Sequence, residues 1–403
     1  MLPDLDRGGP HPKELRSKVK RVVTKVGTIL ILLLLPAALP AQGDRVLQYG
    51  PASSAEMDGS RLDQAIRLYR DAVERDDLRG AVLMVARHGK IVLHEAIGWK
   101  NRGYRLPMEK DTLFRMASNT KPVIATAALI LVQEGKLALD DRVSEYFESF
   151  NNPKSRNITI QQLLTHTSGF RIRPIFFPFD EKSDLHPTLR SAVDRFGKEG
   201  PEVEPGTSYS YNNAGFNTVG AVIEHTSGTP LEIFLSQRIY EPIGMDDSSN
   251  HENPEKLFRM ATVYRGTRGP DNKIDFRQGF TPDDPPDFPI VRASGGMIST
   301  AIDYGKFLQM YLNGGRYGKA EILTPESVRK ATSPLVKTGE SGFYGLGWAV
   351  EKGGIFSHAG SDGTMAWVDP ALDLFGLVFT QSPGGNNPVE NFRRLVSDAC
   401  LSK

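Results

Sequence analysis

Phe114-Arg-Met-Ala-Ser-Asn-Thr-Lys-Pro-Val123 puts a serine and a lysine three residues apart where a strand-like run meets a helix. The helix follows from what comes next: Val123, Ile124, Ala127, Ala128, Ile130, Leu131 and Val132 give a broad apolar face, and Gly135 stands where a helix stops. Ser118 then falls at the helix N-terminus. There the unpaired backbone N–H groups and the dipole favour negative charge, which suits an alkoxide nucleophile or an oxyanion beside it. Residues three apart on a helix are neighbours, so the Lys121 amine can reach the Ser118 hydroxyl. Pro122 falls within the first turn, where a missing N–H is best tolerated.

A bare S-x-x-K turns up by chance about once or twice in a chain of this length. Ser17/Lys20 and Ser327/Lys330 are such copies. The first lies in a basic segment with no strand before it, and the second in a short polar helix that Pro334 soon ends. Only Ser118/Lys121 has the strand-to-helix setting that the chemistry needs.

Residues 1 to 25 carry seven Lys/Arg against three Asp/Glu, the run from Val26 to Leu35 is almost wholly apolar, and Pro36-Ala-Ala-Leu-Pro-Ala41 follows. Residues 1–41 therefore read as a secretory signal peptide cut after Ala41, which predicts a secreted or periplasmic protein. The alternative is an uncleaved N-terminal anchor, which the short apolar run disfavours, since a membrane-spanning helix needs about 20 apolar residues. Beyond Ala41 remain 42 of the 49 Lys/Arg and 45 of the 48 Asp/Glu, a net charge of −3 that points away from a nucleic-acid partner. Cys400 is the only cysteine, so no intrachain disulfide can form.

Ser60-Arg-Leu-Asp63 reads as a capping box opening a helix whose Leu62, Ile66, Tyr69 and Val73 share a face. Ala81 to Ala86 and Lys90 to Ala96 read as strands joined at His88-Gly89. From about Val143 short helices and long loops take over, beginning with a helix from Thr159 to Thr167 that His166-Thr-Ser-Gly169 closes. Residues 170 to 210 are the least regular stretch, and Phe176, Phe177 and Phe179 either line a substrate pocket or tuck the loop on to a core. Thr229-Pro-Leu-Glu232, Thr300-Ala-Ile-Asp303 and Thr324-Pro325 are further helix starts. Strands return at Tyr344 to Val350, Ile355 to His358, Thr364 to Asp369 and Leu374 to Gln381, before a last helix from about Val389 to Leu401. The fold class is α/β (α+β): an antiparallel sheet flanked by helices and built from both ends of the chain. Residues 42–403 read as one unit, with its α/β part at about 60–142 and 291–403 and a mostly helical insert at about 143–290.

Two later stretches could complete a site. Tyr211 and Asn213 lie two apart in an extended loop and so point the same way, whereas the second Tyr-x-Asn, Tyr311/Asn313, falls at a helix end where Asn313 is a cap. Phe356-Ser-His358-Ala-Gly360-Ser361 sets a histidine beside small residues on a strand edge, where a substrate backbone could lie close.

Ser118-Asn-Thr-Lys121, Tyr211-Asn-Asn213 and His358-Ala-Gly360, in that order, resemble the signature of the serine β-lactamase and penicillin-binding protein superfamily: S-x-x-K, Tyr-x-Asn and a K-T-G-like triplet on a strand. The likeness extends over about residues 62 to 397, through Leu163-Leu-Thr-His-Thr-Ser-Gly169, Glu241-Pro-Ile-Gly-Met245, Ser294-Gly-Gly-Met-Ile-Ser-Thr300 and Tyr344-Gly-Leu-Gly347, and is greatest to the class C β-lactamase-related esterases and peptidases. It implies an acyl-enzyme on Ser118, with Tyr211 or Lys121 as the base and Asn213 holding Lys121 and the substrate. His358 and Gly360 would orient the substrate, and the N–H groups of Ser118 and Ser361 would form the oxyanion hole. An unperturbed tyrosine needs about 4 kcal/mol of differential stabilisation to serve as a base at pH 7, which an adjacent ammonium could supply. His166 is read as structural. Lys337-Thr-Gly339 is a literal triplet but lies out of order, in what reads as a polar turn.

Histidine in place of the triplet lysine removes a permanent positive charge and argues against efficient β-lactam turnover. The resemblance implies a small ester, amide or peptide substrate, with hydrolysis of small esters ahead of D-alanyl-D-alanine carboxypeptidase or D-aminopeptidase action, and a non-catalytic penicillin sensor last. No metal or organic cofactor is implied: there is no H-E-x-x-H pair, phosphate-binding glycine loop or G-x-S-x-G elbow.

Overall fold

Gly80–Arg87 is buried at all eight positions, which explains why its sequence is a continuous apolar run. Successive side chains of a strand face opposite ways, so one segment feeds two cores. Ala81, Leu83 and Val85 pack with residues of the helices Gly59–Glu74 and Val389–Asp398, while Val82, Met84 and Ala86 join a larger cluster with Thr120–Gln133 and Ala301–Leu312. Each fully buried Val or Leu contributes about 1.5–3 kcal/mol. The computed structural model describes residues 45–401 except 173–187, 272, 283, 285–289 and 341. The expected signal peptide and the three aromatics Phe176, Phe177 and Phe179 lie outside the described residues. Among the described residues no helix is long and apolar enough to cross a membrane.

Both ends of the chain build the main sheet. Its order is Gln48–Tyr49, Lys90–Asn101, Gly80–Arg87, Leu374–Phe379, Thr364–Asp369, Phe356–Gly360, Ala349–Glu351, Gly342–Tyr344 and Val336–Lys337. Neighbours are antiparallel except Gln48–Tyr49, which runs parallel to Lys90–Asn101. The N- and C-terminal portions meet where Gly80–Arg87 pairs with Leu374–Phe379.

Several expectations need correction. Asp58, not Ser60, caps the first helix: its carboxylate accepts from Ser60 N–H at 2.8 Å. Thr229 caps nothing, and Glu232 instead bonds His251 and the Asn250 N–H. The stretch 344–350 is two strands split at Gly345-Leu346-Gly347, because the chain bends there to pass the helix Thr120–Gln133; at Gly347, φ +80°, a Cβ would sit 2.7 Å from Ala125 Cβ. Lys337 lies in the edge strand Val336–Lys337 rather than a turn. The helix begun at Thr159 is shorter than expected and ends at Leu164. Residues 170–210 contain an amphipathic helix, Leu189–Glu199, and the helical middle carries a β-hairpin, Tyr264–Arg268 with Ile274–Gln278. That hairpin is held by Tyr264 N–H to Gln381 O at 2.9 Å, by Gly266 N–H to Pro383 O at 2.7 Å and by Arg79, whose guanidinium lies 4.5 Å from the Phe276 ring centre.

Candidate active site

The chain reaches Ser118 through a two-residue strand, Phe114–Arg115, paired with Ile298–Ser299, and then a 3-10 turn, Ala117–Asn119, that runs into the helix Thr120–Gln133. Ala117 has φ +45°, a conformation that costs a non-glycine residue about 1–3 kcal/mol and survives only where its surroundings enforce it. They do. Thr120 Oγ1 donates to Ala117 O at 2.6 Å, Thr364 Oγ1 to Met116 O at 3.0 Å, and Tyr304 OH to Asn119 O at 2.9 Å. The helix behind the turn is buried from Thr120 to Leu131, so Lys121 is carried wholly inside the protein.

Lys121 Nζ lies 3.0 Å from Ser118 Oγ, 2.9 Å from Asn213 Oδ1 and 2.7 Å from the Ser294 carbonyl oxygen. Burial, reinforced by the positive charge of Arg292, holds its pKa well below the ordinary lysine range. Asn213 reaches it from the first turn of the helix Asn213–Ser227, which Asn212 caps by accepting from Gly215 N–H at 2.8 Å.

Two residues earlier the Tyr211 hydroxyl bonds Ser118. Tyr211 is 44% exposed, yet its hydroxyl end is turned inward, and burial pushes its pKa up to about 12 in spite of the Ser118 bond. The resemblance leaves Tyr211 and Lys121 both open as the base. Burial disfavours the charged form of both groups. The Tyr211 ring rests on His166, centroid to centroid 4.3 Å. His166 is fully buried at φ +58°, takes the Asn212 N–H on Nδ1 at 3.3 Å, and is kept neutral by burial. It thus supports Tyr211 as well as closing its own helix.

His358 occupies the strand Phe356–Gly360 but does not line the cleft at Ser118. Its Nδ1–H donates to Ala359 O at 2.9 Å, which leaves Nε2 to accept from Tyr344 OH at 3.0 Å. Burial, with Lys121 nearby, lowers its pKa to about 3, so the ring is neutral. Gly360 lets that strand press against the serine turn: a Cβ there would be 2.3 Å from both Met116 O and Thr364 Oγ1. Ser361, the next residue, enters the cleft beside Ser118. Of the other two S-x-x-K serines, Ser17 lies outside the described residues and Ser327 stands in the first turn of the helix Pro325–Ala331, its N–H bonding the cap Thr324 Oγ1.

The cleft, about 390 Å³, is lined by Ser118, Asn213, Ser294 and Ser361 and by charged residues that sequence reasoning passed over. Arg115 and Asp362, both under 10% exposed, form an ion pair at 3.3 Å. Arg265 arrives on the hairpin, 3.4 Å from Asp362, and Arg292 precedes the Ser294-Gly-Gly stretch and donates to Gly295 O. Only the last carried a signal, its closeness to that stretch.

The sequence model of the Beta-lactamase family matches residues 65–400. The chain belongs to that family. Esterase EstB of Burkholderia gladioli is 36% identical over 204 residues, covering 46% of this chain and 49% of its own length. An Escherichia coli K12 protein with the provisional name D-alanyl-D-alanine carboxypeptidase is 26% identical over 395 residues, 88% of this chain and 90% of that protein. The solved structure of EstCE1, described as a hydrolase with promiscuous acyltransferase activity, superposes with a TM-score of 0.71 at 22% identity, over 85% of this chain and 99% of that one. This member of the Beta-lactamase family therefore shares the mixed fold of its relatives and is a beta-lactamase-fold hydrolase related to esterases and D-alanyl-D-alanine carboxypeptidases.

Proposed function

We propose that this chain is a serine hydrolase of small esters or amides that acylates Ser118. The observation that carries the reading is the set of three contacts at Lys121 Nζ. A neutral amine has two N–H groups and one lone pair. With Asn213 Oδ1 and Ser294 O each accepting one N–H, the lone pair faces Ser118 Oγ at 3.0 Å, so Lys121 takes the serine proton as the hydroxyl attacks the carbonyl. Tyr211, protonated and bonded to Ser118, passes a proton to the departing alcohol or amine and is reprotonated from Lys121. The N–H groups of Ser118 and Ser361 take the developing oxyanion, each worth about 3–4 kcal/mol in such a site. Water then repeats the sequence in reverse and releases the acid.

The likeness to EstB supports esters as substrates. The length of the match to the Escherichia coli protein supports a second reading on the same residues, a D-alanyl-D-alanine carboxypeptidase. The basic and then apolar stretch of residues 1–41 supports export, which cell fractionation would check. Hydrolysis of 4-nitrophenyl acetate by purified protein, lost in Ser118→Ala, is the expected result. Release of D-alanine without ester turnover would favour the second reading, and folded protein inert to both would reject the mechanism.

A further inference from the structure

We infer that Asn217 is a positioning residue for the reaction: it fixes Ser294, and through Ser294 it sets the direction in which the Lys121 amine points; this rests on the hydrolase reading above. Asn217 is fully buried in the helix Asn213–Ser227, four residues after Asn213. Residues four apart share a helix face, so the two asparagines stand one above the other. Asn213 Oδ1 meets the Lys121 amine directly at 2.9 Å. Asn217 Oδ1 accepts from the Ser294 N–H at 2.9 Å, and the carbonyl oxygen of that same serine takes the Lys121 amine at 2.7 Å.

Satisfying a buried N–H is by itself an ordinary structural task. Here one backbone residue carries both bonds, so a shift at Asn217 reaches Nζ across a single residue. Neighbouring contacts press the same segment on to the helix. One turn further along, a Cβ at Gly220 would be 2.5 Å from Ala293 Cβ. At the segment's other end Met297 N–H donates to Thr120 Oγ1 at 3.0 Å, and Met297 O accepts from Met116 N–H at 2.8 Å. Two of the three partners of Lys121 Nζ thus trace back to one face of the helix Asn213–Ser227. Without the Asn217 acceptor the Ser294 N–H turns to another partner, and its carbonyl moves off the amine. The lone pair is then no longer held towards Ser118 Oγ, and a misplacement of about 1 Å can cost about 10²-fold in rate. Asn217 does not line the cleft, so substrate binding does not depend on it.

The test uses the full-length protein with 4-nitrophenyl acetate, or with a peptide ending in D-alanyl-D-alanine where that is the one turned over. Wild type is compared with Asn217→Ala, which removes the acceptor, and with Asn217→Asp, which keeps one in nearly the same shape. In Asn217→Ala kcat per folded molecule is expected to fall by about tenfold or more, with KM within about twofold of wild type. The acid limb of its kcat/KM profile should move to lower pH, because an ammonium loses more than an amine does when an acceptor is withdrawn. In Asn217→Asp most of kcat should return at the optimum, while the limb moves to higher pH by about one pH unit, since a nearby carboxylate favours the charged amine. The other titratable or charged groups facing Lys121 among the described residues, Tyr211, His166, His358 and Arg292, are the same in all three proteins. A kcat in Asn217→Ala within about twofold of wild type overturns the inference. So do equal losses of kcat in both variants with the limb in place, which would make Asn217 a packing residue alone. If Asn217→Ala does not fold, Asn217→Asp decides, and a limb at the wild-type pH overturns the inference. Each of these results leaves the hydrolase reading standing as long as wild-type turnover is lost in Ser118→Ala. Folded wild type inert to both substrates overturns that reading and the inference with it.

Discussion

Tyr344 OH donates to His358 Nε2 at 3.0 Å while His358 Nδ1–H donates to Ala359 O at 2.9 Å, so both ring nitrogens of the strand histidine are engaged within the protein. His358→Lys would therefore put an ammonium into a buried site already next to Lys121, without a carboxylate to receive it. The variant is expected to lose about 2–4 kcal/mol of stability in urea unfolding and to gain no β-lactam turnover. A stable variant that hydrolyses nitrocefin efficiently would show that this buried site can open.

Lys121→Arg puts a permanent cation where the amine is neutral and cannot present a lone pair. A loss of kcat of about 10²–10⁴ is expected, with native stability disturbed as well because the larger head replaces three close contacts. Tyr211→Phe, in contrast, leaves Lys121 and its partners in place. It should lower kcat by about 10²-fold or more and leave the unfolding midpoint nearly unchanged. Equal losses in kcat and in stability for both variants would argue for packing alone.

Activity should follow the neutral fraction of Lys121 on the acid side. Because its pKa is depressed, kcat/KM should rise with pH and reach its plateau well before the ordinary lysine range. It should fall again only as Tyr211 ionises, at about pH 12. A rate still climbing steeply above pH 9 would contradict this protonation scheme.

Stability against acid has a sign set by three buried histidines. His358 has a pKa of about 3 and His94 of about 4, while His166 is also lowered; in each, burial is the main cause. Between these values and about 6.5 the unfolded chain binds more protons than the folded one, so stability rises with pH through that window and is lost as pH falls. Each histidine contributes up to about 1.4 kcal/mol per pH unit there. Urea midpoints at pH 7, 6, 5 and 4 should decline monotonically, and a midpoint insensitive to pH over that range would count against buried neutral rings.

Gly360→Ala tests the seam between sheet and serine turn. The added methyl would meet Met116 O and Thr364 Oγ1 and should cost about 1–3 kcal/mol, with a larger fractional loss of turnover than of stability because Ser361 moves with it.

Much of this was readable in the chain because local pattern and final environment agree. His88 and Gly89 both adopt positive φ, as their two-residue turn between apolar strands requires, and Thr364–Asp369 is a strand with the expected bounds. The Leu189–Glu199 helix carried a legible signal, Thr188 with Ser191 at its start and Leu189, Val193 and Phe196 on one face, masked by the prolines before it. The hairpin Tyr264–Arg268 with Ile274–Gln278 had none. Its residues are mostly exposed and polar, and Arg79, which holds it, comes from the far end of the chain. For the same reason the Arg115–Asp362 pair could not be foreseen: only the folded sheet brings those side chains together. Ser118, Lys121, Tyr211 and Asn213 were legible because each sits at a helix start or a turn with a fixed local geometry.

That hairpin separates two kinds of evolutionary freedom. Ser118 and Lys121 sit on a turn and a helix locked into the core, where an exchange of the lysine is costly to folding. Arg265 rides on a strand of that hairpin, with its side chain exposed, while Tyr264 N–H to Gln381 O, Gly266 N–H to Pro383 O and Arg79 over Phe276 tie the hairpin to the body. An engineer who changes the exposed side chains of 264–278 would recast the mouth of the cleft and leave the Ser118 turn in place.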